Sequence, residues 1–431
     1  MNLSEMSSRS RDSFEKLSVT TAGQRNQALL QLAETLEEHR DAIFAANRED
    51  LLEAEAAGLP APLLHRLKFG EEKLSQVREG LRSLSDLPDP IGNTVFCHEI
   101  SEGLKLYRVT CPIGVIGIIF ESRPDALVQI SSLTIKSGNA ALLKGGREAL
   151  RTNQALIACV REALEKTGLP ADAAQLMETR EDVAAMLKED ELIDLIIPRG
   201  SNAFVRYIMD HSRIPVLGHS DGICHVYVDR SADPETAWKV ALDSKVQNLS
   251  VCNAEETLLV HEAAAEWFLP PFARMLRENN VEIRGDEAVQ SFISCGPASE
   301  EDWRTEYLDA ILSIRVVSSL EEAIRHINHY GSHHTDCIVT EDSAAAAEFL
   351  NRVDSAGVYQ NVSTRFADGF VYGLGAEVGI ATGKLHARGP MGLDGLTTYK
   401  YKMIGHGQTM AGIKSGELHY THRVLREECP L

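Results

Sequence analysis

The chain has 431 residues, 44% hydrophobic and 25% charged, an ordinary globular mix that excludes disorder, collagen and coiled coil as whole-chain descriptions. At about 150 residues per domain, this length predicts two or three domains. Lys and Arg number 43 against 63 Asp and Glu, a net charge of −20 that repels phosphate backbones and anionic lipid, so nucleic acid and membrane are poor partners. An anionic substrate must therefore find a locally basic pocket.

Residues 1–16 are polar and carry both charge signs, unlike a secretory leader. Residues 22–58 predict a helix, with Leu29, Leu32, Ala33 and Leu36 at helical spacing and charges on the other face. Gly58 and Pro60 break it, and a further helical stretch runs to about Leu84. The turn-rich segment 85–89, with Pro88 and Pro90, marks a boundary. From Tyr107 onward, strand-length apolar runs (115–120, 140–143, 192–197, 215–217) alternate with helix-length stretches (126–136, 148–166, 203–210). The longest apolar run, 111–120, is too short to span a bilayer. A second series follows, with strands at 225–228, 257–260, 311–317 and 337–339. Its helices fall at 238–245, from Ala263, at 321–329 and at 344–352. Strands apolar on both faces, joined by helices, predict parallel sheets covered on both sides: an α/β fold of two domains, split near Gly222. Beyond Arg365 the chain is glycine-rich and ends in an alternating, exposed strand at 396–403.

Eight cysteines occur without C-x-x-C spacing, so neither a zinc knuckle nor a redox dithiol is indicated, and free thiols in a reducing, cytoplasmic compartment are expected. Cys252 lies in a polar turn between a helix and a strand. There a cation or helix terminus could favour the thiolate and make it a nucleophile towards an acyl carbon; a small buried side chain is the alternative reading. Glycines at 114 and 117, then Lys144-Gly145-Gly146 after the next strand, allow close approach of a nucleotide, although the G-x-G-x-x-G fingerprint is absent. Gly200 sits in a turn that opens a helix, whose backbone donors could face an anion. His326, His329, His333 and His334 form a cluster, but Gly331 is expected to end the helix among them, and no metal is predicted. Arg365, Lys384 and Arg388 stand among glycines as an anion grip, or as partners of the many carboxylates.

Four stretches carry a resemblance: Pro112 to Pro124 (PIGVIGIIFESRP), Val251 to Val260 (VCNAEETLLV), Ile327 to Asp336 (INHYGSHHTD) and Gly375 to Gly392 (GAEVGIATGKLHARGPMG). In this order and spacing, from about residue 10 to Gln408, the chain resembles the γ-glutamyl phosphate reductases of proline biosynthesis, within the aldehyde dehydrogenase superfamily. The resemblance implies an aldehyde dehydrogenase-like α/β fold: an NADPH-binding domain with N-terminal helices (1–222), a catalytic domain (223–362), and a return to the cofactor domain with an oligomerisation strand (363–431). A flap would join strands near 104–109 and 396–403. It implies Cys252 as nucleophile, with backbone N–H groups at Cys252 and Asn253 holding the oxyanion. It places Lys144 and Gly145 at the adenosine ribose, Gly200 at the nicotinamide turn and Glu306 near the nicotinamide ribose. Arg123 stands where hydrolytic relatives carry an oxyanion Asn, and His219 where they carry the deacylating Glu. Both departures suit an acyl-phosphate reductase. Arg123, His219, Arg365 and Arg388 are thus expected around L-glutamyl 5-phosphate.

The expected activity is NADPH-dependent reduction of that compound to glutamate 5-semialdehyde by a homo-oligomer, served by a separate glutamate 5-kinase. Another acylating aldehyde dehydrogenase, using an acyl phosphate or acyl-CoA, and a non-enzymatic histidine-rich metal-binding α/β protein are the alternatives.

Overall fold

The computed structural model describes residues 2–121, 123–178, 181–219 and 221–430. Among these residues, two parallel sheets, one antiparallel sheet and a two-stranded ribbon organise the chain. The first parallel sheet has the order Ala174–Leu176, Ala140–Lys144, Val115–Phe120, Leu195–Arg199. Every residue of Val115–Phe120 and Ala140–Lys144 is buried, which is why these strands read as unbroken apolar runs rather than alternating ones. The expected strand at 215–217 contributes only a parallel bridge from Val216 to Ile196. The chain steps outward from Val115–Phe120 to Ala140–Lys144 and Ala174–Leu176, then crosses back to lay Leu195–Arg199 on the other side of Val115–Phe120. A crevice therefore opens between the C-terminal ends of Val115–Phe120 and Leu195–Arg199, the usual ligand position in such sheets.

Five helices precede this sheet among the described residues. The expected helix over 22–58 is two, Ala22–Glu38 and Arg40–Ala56, parted at His39. A capping box between Thr21 and Gln24 starts the first, and its Leu29, Leu32 and Leu36 enter the same core as the sheet. The polar N-terminus forms the helix Leu3–Leu17, which buries Ser7, Ser10 and Ser13 between Leu3 and Leu17. Ser10 Oγ accepts from Gln175 Nε2 at 2.8 Å, so small hydroxyls replace apolar contacts on this face. Arg25, 1% exposed, donates to both Asp89 oxygens at 2.7 Å, and Lys136 Nζ donates to the Leu87 carbonyl at 2.8 Å. The turn-rich boundary is thereby pinned to the first domain.

The second parallel sheet runs Gly296–Pro297, Glu282–Gly285, Ile311–Val317, Glu255–His261, Cys224–Val228, Thr335–Val339, Gly357–Gln360. Helices Pro234–Val246 and Glu262–Glu278 bring Ala237, Ala241, Phe268 and Phe272 into its core. Val378, Ala381, Met391 and Leu396 rejoin the first core, so the chain crosses back after the second sheet. The antiparallel sheet has the order Thr397–Ile404, Leu104–Pro112, Thr94–Ser101, Arg423–Leu425. Its first strand is an edge on which Tyr399, Tyr401 and Met403 are exposed.

Candidate functional site

A cleft of about 1080 Å³ opens at the C-terminal end of the first sheet, lined by Glu121, Lys144, Gly145, Arg147 and Tyr207 among others. Lys144 ends its strand inside this wall, buried, with Nζ donating to the Gly145 carbonyl at 2.7 Å. A β-carbon at Gly145 would lie 2.2 Å from the buried Asn153 Nδ2, so the strand end is kept bare. Volume, position at the strand-order switch and the bare strand end make this cleft fit a dinucleotide, with Lys144 and Arg147 standing among Glu121, Glu148 and Glu178.

Gly200 follows Leu195–Arg199 and precedes the helix Asn202–His211. The Asn202 side chain donates to Glu306 and, at 3.2 Å, to Asp221, which joins this turn to the second domain. Burial raises the pKa of the Glu306 carboxyl, opposed by the Asn202 hydrogen bond. Glu306 is thus tied to the turn that carries Gly200.

Cys252 is half-buried on the loop between Pro234–Val246 and Glu255–His261. Four attachments fix that loop. Gly222 lies so close that a β-carbon there would sit 2.1 Å from the Cys252 carbonyl oxygen. Cys224 Sγ donates to the same oxygen at 3.3 Å. Asn253 Nδ2 donates to the Ala367 carbonyl at 3.0 Å, while Thr364 Oγ1 donates to the Asn253 carbonyl at 2.7 Å. Behind the loop, Lys245 Nζ and Glu256 Oε2 form a 2.6 Å ion pair with both side chains fully buried. The Asn253 side chain therefore ties the loop to the turn Thr364–Phe366, which carries Arg365.

Two imidazoles face the thiol: one nitrogen each from His219 and His334 and the Cys252 sulfur all lie within 4.8 Å of one another. Their rings meet edge to face at 5.0 Å. His219 Nδ1 lies 2.9 Å from the Ile380 carbonyl, which can only accept, so Nδ1 donates to it. Cations complete the surroundings. Burial lowers the pKa of the Arg199 guanidinium, and the nearby Glu377 and Cys252 oppose that shift. Burial likewise lowers Arg365, opposed first by Cys252; its Nε donates to Gln247 Oε1 at 2.9 Å. Arg123, exposed at the N-terminal end of Pro124–Lys136, acts electrostatically on Arg199. Arg388 instead donates to Asp354 Oδ1 at 3.1 Å, beside Lys384, whose Nζ lies 2.6 Å from the same carboxylate.

The four clustered histidines separate, with Gly331 capping their helix. His326 packs beside His225 in the core, and burial pushes its pKa down to about 2. His329 meets Arg304 at 2.8 Å, and His333 meets the Asp354 carbonyl at 2.5 Å. Of the four, His334 alone reaches Cys252. Sequence reasoning missed His334, Arg199 and Gly222 as neighbours of the thiol. The motif containing His334 was visible, but its histidines alternate between unrelated environments. Burial pushes up the thiols of Cys97, Cys111, Cys159, Cys224, Cys295 and Cys337, which suits structural side chains.

A model of the aldehyde dehydrogenase family matches residues 2–300. The γ-glutamyl phosphate reductase of Pelotomaculum thermopropionicum is 55% identical over 99% of each chain. That of Acetivibrio thermocellus is 54% identical over 100% of each. The crystal structure of γ-glutamyl phosphate reductase from Thermotoga maritima matches with a TM-score of 0.93 at 40% identity, covering 95% of this chain and 100% of that one. With a thiol loop, a nucleotide-sized cleft and these relatives, the chain belongs to the aldehyde dehydrogenase family of nicotinamide-dependent oxidoreductases and, within it, to the γ-glutamyl phosphate reductases.

Proposed function

We propose that this chain reduces L-glutamyl 5-phosphate to L-glutamate 5-semialdehyde and phosphate with NADPH, the second step of proline biosynthesis from glutamate. The observation that carries the reading is the Cys252 sulfur held on a clamped loop among Arg199, Arg365 and two imidazoles.

His219, whose ring lies beside the thiol, takes its proton. The Cys252 thiolate then attacks the γ-carbonyl, with N–H groups at Cys252 and Asn253 stabilising the oxyanion. The C–O bond to phosphate breaks, phosphate leaves and a Cys252 thioester remains. Phosphate departs as a stable anion, so no strong general acid is needed. Arg123, Arg199, Arg365 and Arg388 grip the phosphate and the α-carboxylate; Arg388 also donates to Asp354. Lys144, Gly145 and Arg147 hold the adenosine end of the cofactor, and Gly200 and Glu306 its nicotinamide end. The chemistry the cofactor supplies when bound is a hydride. Collapse at Cys252 then releases the aldehyde and regenerates the thiolate. His219 stands where hydrolytic relatives place their water-activating Glu, and while it holds the Cys252 proton it cannot serve as a base towards water.

The exposed edge Thr397–Ile404 supports a homo-oligomer built through the antiparallel sheet. A separate glutamate 5-kinase supplies the acyl phosphate. No helix among the described residues is long and apolar enough to cross a membrane, and the free cysteines suit a cytoplasmic enzyme.

The test is oxidation of pyrroline-5-carboxylate, the cyclised form of the semialdehyde, with NADP and with NAD, each with and without inorganic phosphate. Phosphate-dependent NADPH formation is expected. A rate indifferent to phosphate would overturn the acyl-phosphate assignment.

A further inference from the structure

We propose that His219, Cys252 and His334 form a binding site for a soft divalent cation, zinc being the reference member of the class. The three ligand atoms lie within 4.8 Å of one another. In a tetrahedral zinc centre, with Zn–S about 2.3 Å and Zn–N about 2.0–2.1 Å, they would stand roughly 3.3–3.6 Å apart.

Three further features point the same way. His334 is 1% exposed, and its Nε2 is buried without a hydrogen-bond partner, a lone pair or N–H that some ligand must satisfy. Its Nδ1 lies 3.0 Å from Thr335 Oγ1, and His219 Nδ1 faces the Ile380 carbonyl at 2.9 Å. Each ring is thus held from outside through one nitrogen, the arrangement by which proteins orient metal-binding imidazoles. The ligands also come from three different segments, so the site exists only in the folded chain.

The neighbouring guanidinium groups of Arg199 and Arg365 oppose any dication. Hard ions such as Mg²⁺, which need oxygen ligands, are excluded. Zn²⁺, Co²⁺ or Cd²⁺ compensates by displacing the thiol proton and bonding the sulfur directly. The site is distinct from a cluster of the four histidines at 326–334, which do not converge. Its consequence for turnover rests on the proposed function: the cation occupies the nucleophile and silences it reversibly.

The experiment is titration of the reduced, chelator-treated protein with Co²⁺, followed by competition with Zn²⁺. One Co²⁺ per chain is expected, with a thiolate-to-cobalt charge-transfer band that Zn²⁺ abolishes. Cys252→Ser should remove the band, and His334→Gln or His219→Gln should weaken binding by more than about a hundredfold. That exceeds the 10–100-fold typical of losing a group that only hydrogen-bonds a metal ligand. Cys224→Ser should leave the band intact. Absence of the band in wild type, or its survival in Cys252→Ser, overturns the site. A band with full activity retained supports the site and instead overturns Cys252 as nucleophile.

Discussion

Gly222 and Cys252 are in backbone contact just ahead of the adjacent strands Cys224–Val228 and Glu255–His261. A β-carbon on Gly222 would lie 2.1 Å from the Cys252 carbonyl oxygen and 2.6 Å from its Cα. Neither atom belongs to a side chain that could rotate away. Gly222→Ala must therefore displace the thiol loop, and an ångström of misplacement at a reacting centre lowers turnover by about a hundredfold. Steady-state assays of the variant check this, with cofactor fluorescence titration expected to show binding retained.

Lys245 and Glu256 bracket the same loop from behind. Burial pushes the Glu256 carboxyl up to about 7, against the pull of Lys245. Lys245→Met leaves this carboxyl buried without its partner and should destabilise the chain by about 3–5 kcal/mol. Adding Glu256→Gln removes the orphaned charge and should restore most of that loss. Denaturant unfolding of the two variants measures the difference.

Glu306 gives a pH dependence of defined sign. Burial holds its pKa above the usual 4.5, so the folded chain binds this proton more tightly than the unfolded chain. Its contribution to stability is present below pH 4.5 and is lost as pH rises through the raised value. Cofactor binding through the carboxylate runs the other way and weakens as pH falls through that value. Glu306→Gln should flatten both profiles, read as melting temperature and as cofactor KM across the acid range.

Arg147 lines the outer part of the cleft beside Lys144. A guanidinium there is suited to the extra phosphate that separates NADPH from NADH. Arg147→Ala should raise the KM for NADPH by about 10–100-fold, the range of one charge-assisted hydrogen bond at about 1.5–3 kcal/mol, and change that for NADH little. Equal effects on both cofactors would place Arg147 outside the recognition of that phosphate.

Much of this architecture was legible because buried parallel strands must be apolar on both faces, as Val115–Phe120 and Cys224–Val228 are. The Leu3–Leu17 helix was not, since its buried face is built from Ser7, Ser10 and Ser13, which carry no hydrophobic period. Glu282–Gly285 and Gly357–Gln360 are short strands away from the centre of their sheet, too brief to declare a pattern. At the site, motif resemblance pointed to Cys252, Lys144 and Gly200, each next to an element readable from sequence. His334 and Arg199 escaped because their proximity to Cys252 arises from pairing across segments far apart in the chain. His333 adopts a φ of 62°, and the two adjacent rings end in different environments, which no local spacing announces.

The most direct test of the central claim is phosphate-dependent NADP reduction by pyrroline-5-carboxylate in wild type and Cys252→Ala, with NADPH binding measured on both. The account predicts that the variant binds NADPH as wild type does and shows no turnover. Substantial turnover in Cys252→Ala would contradict it.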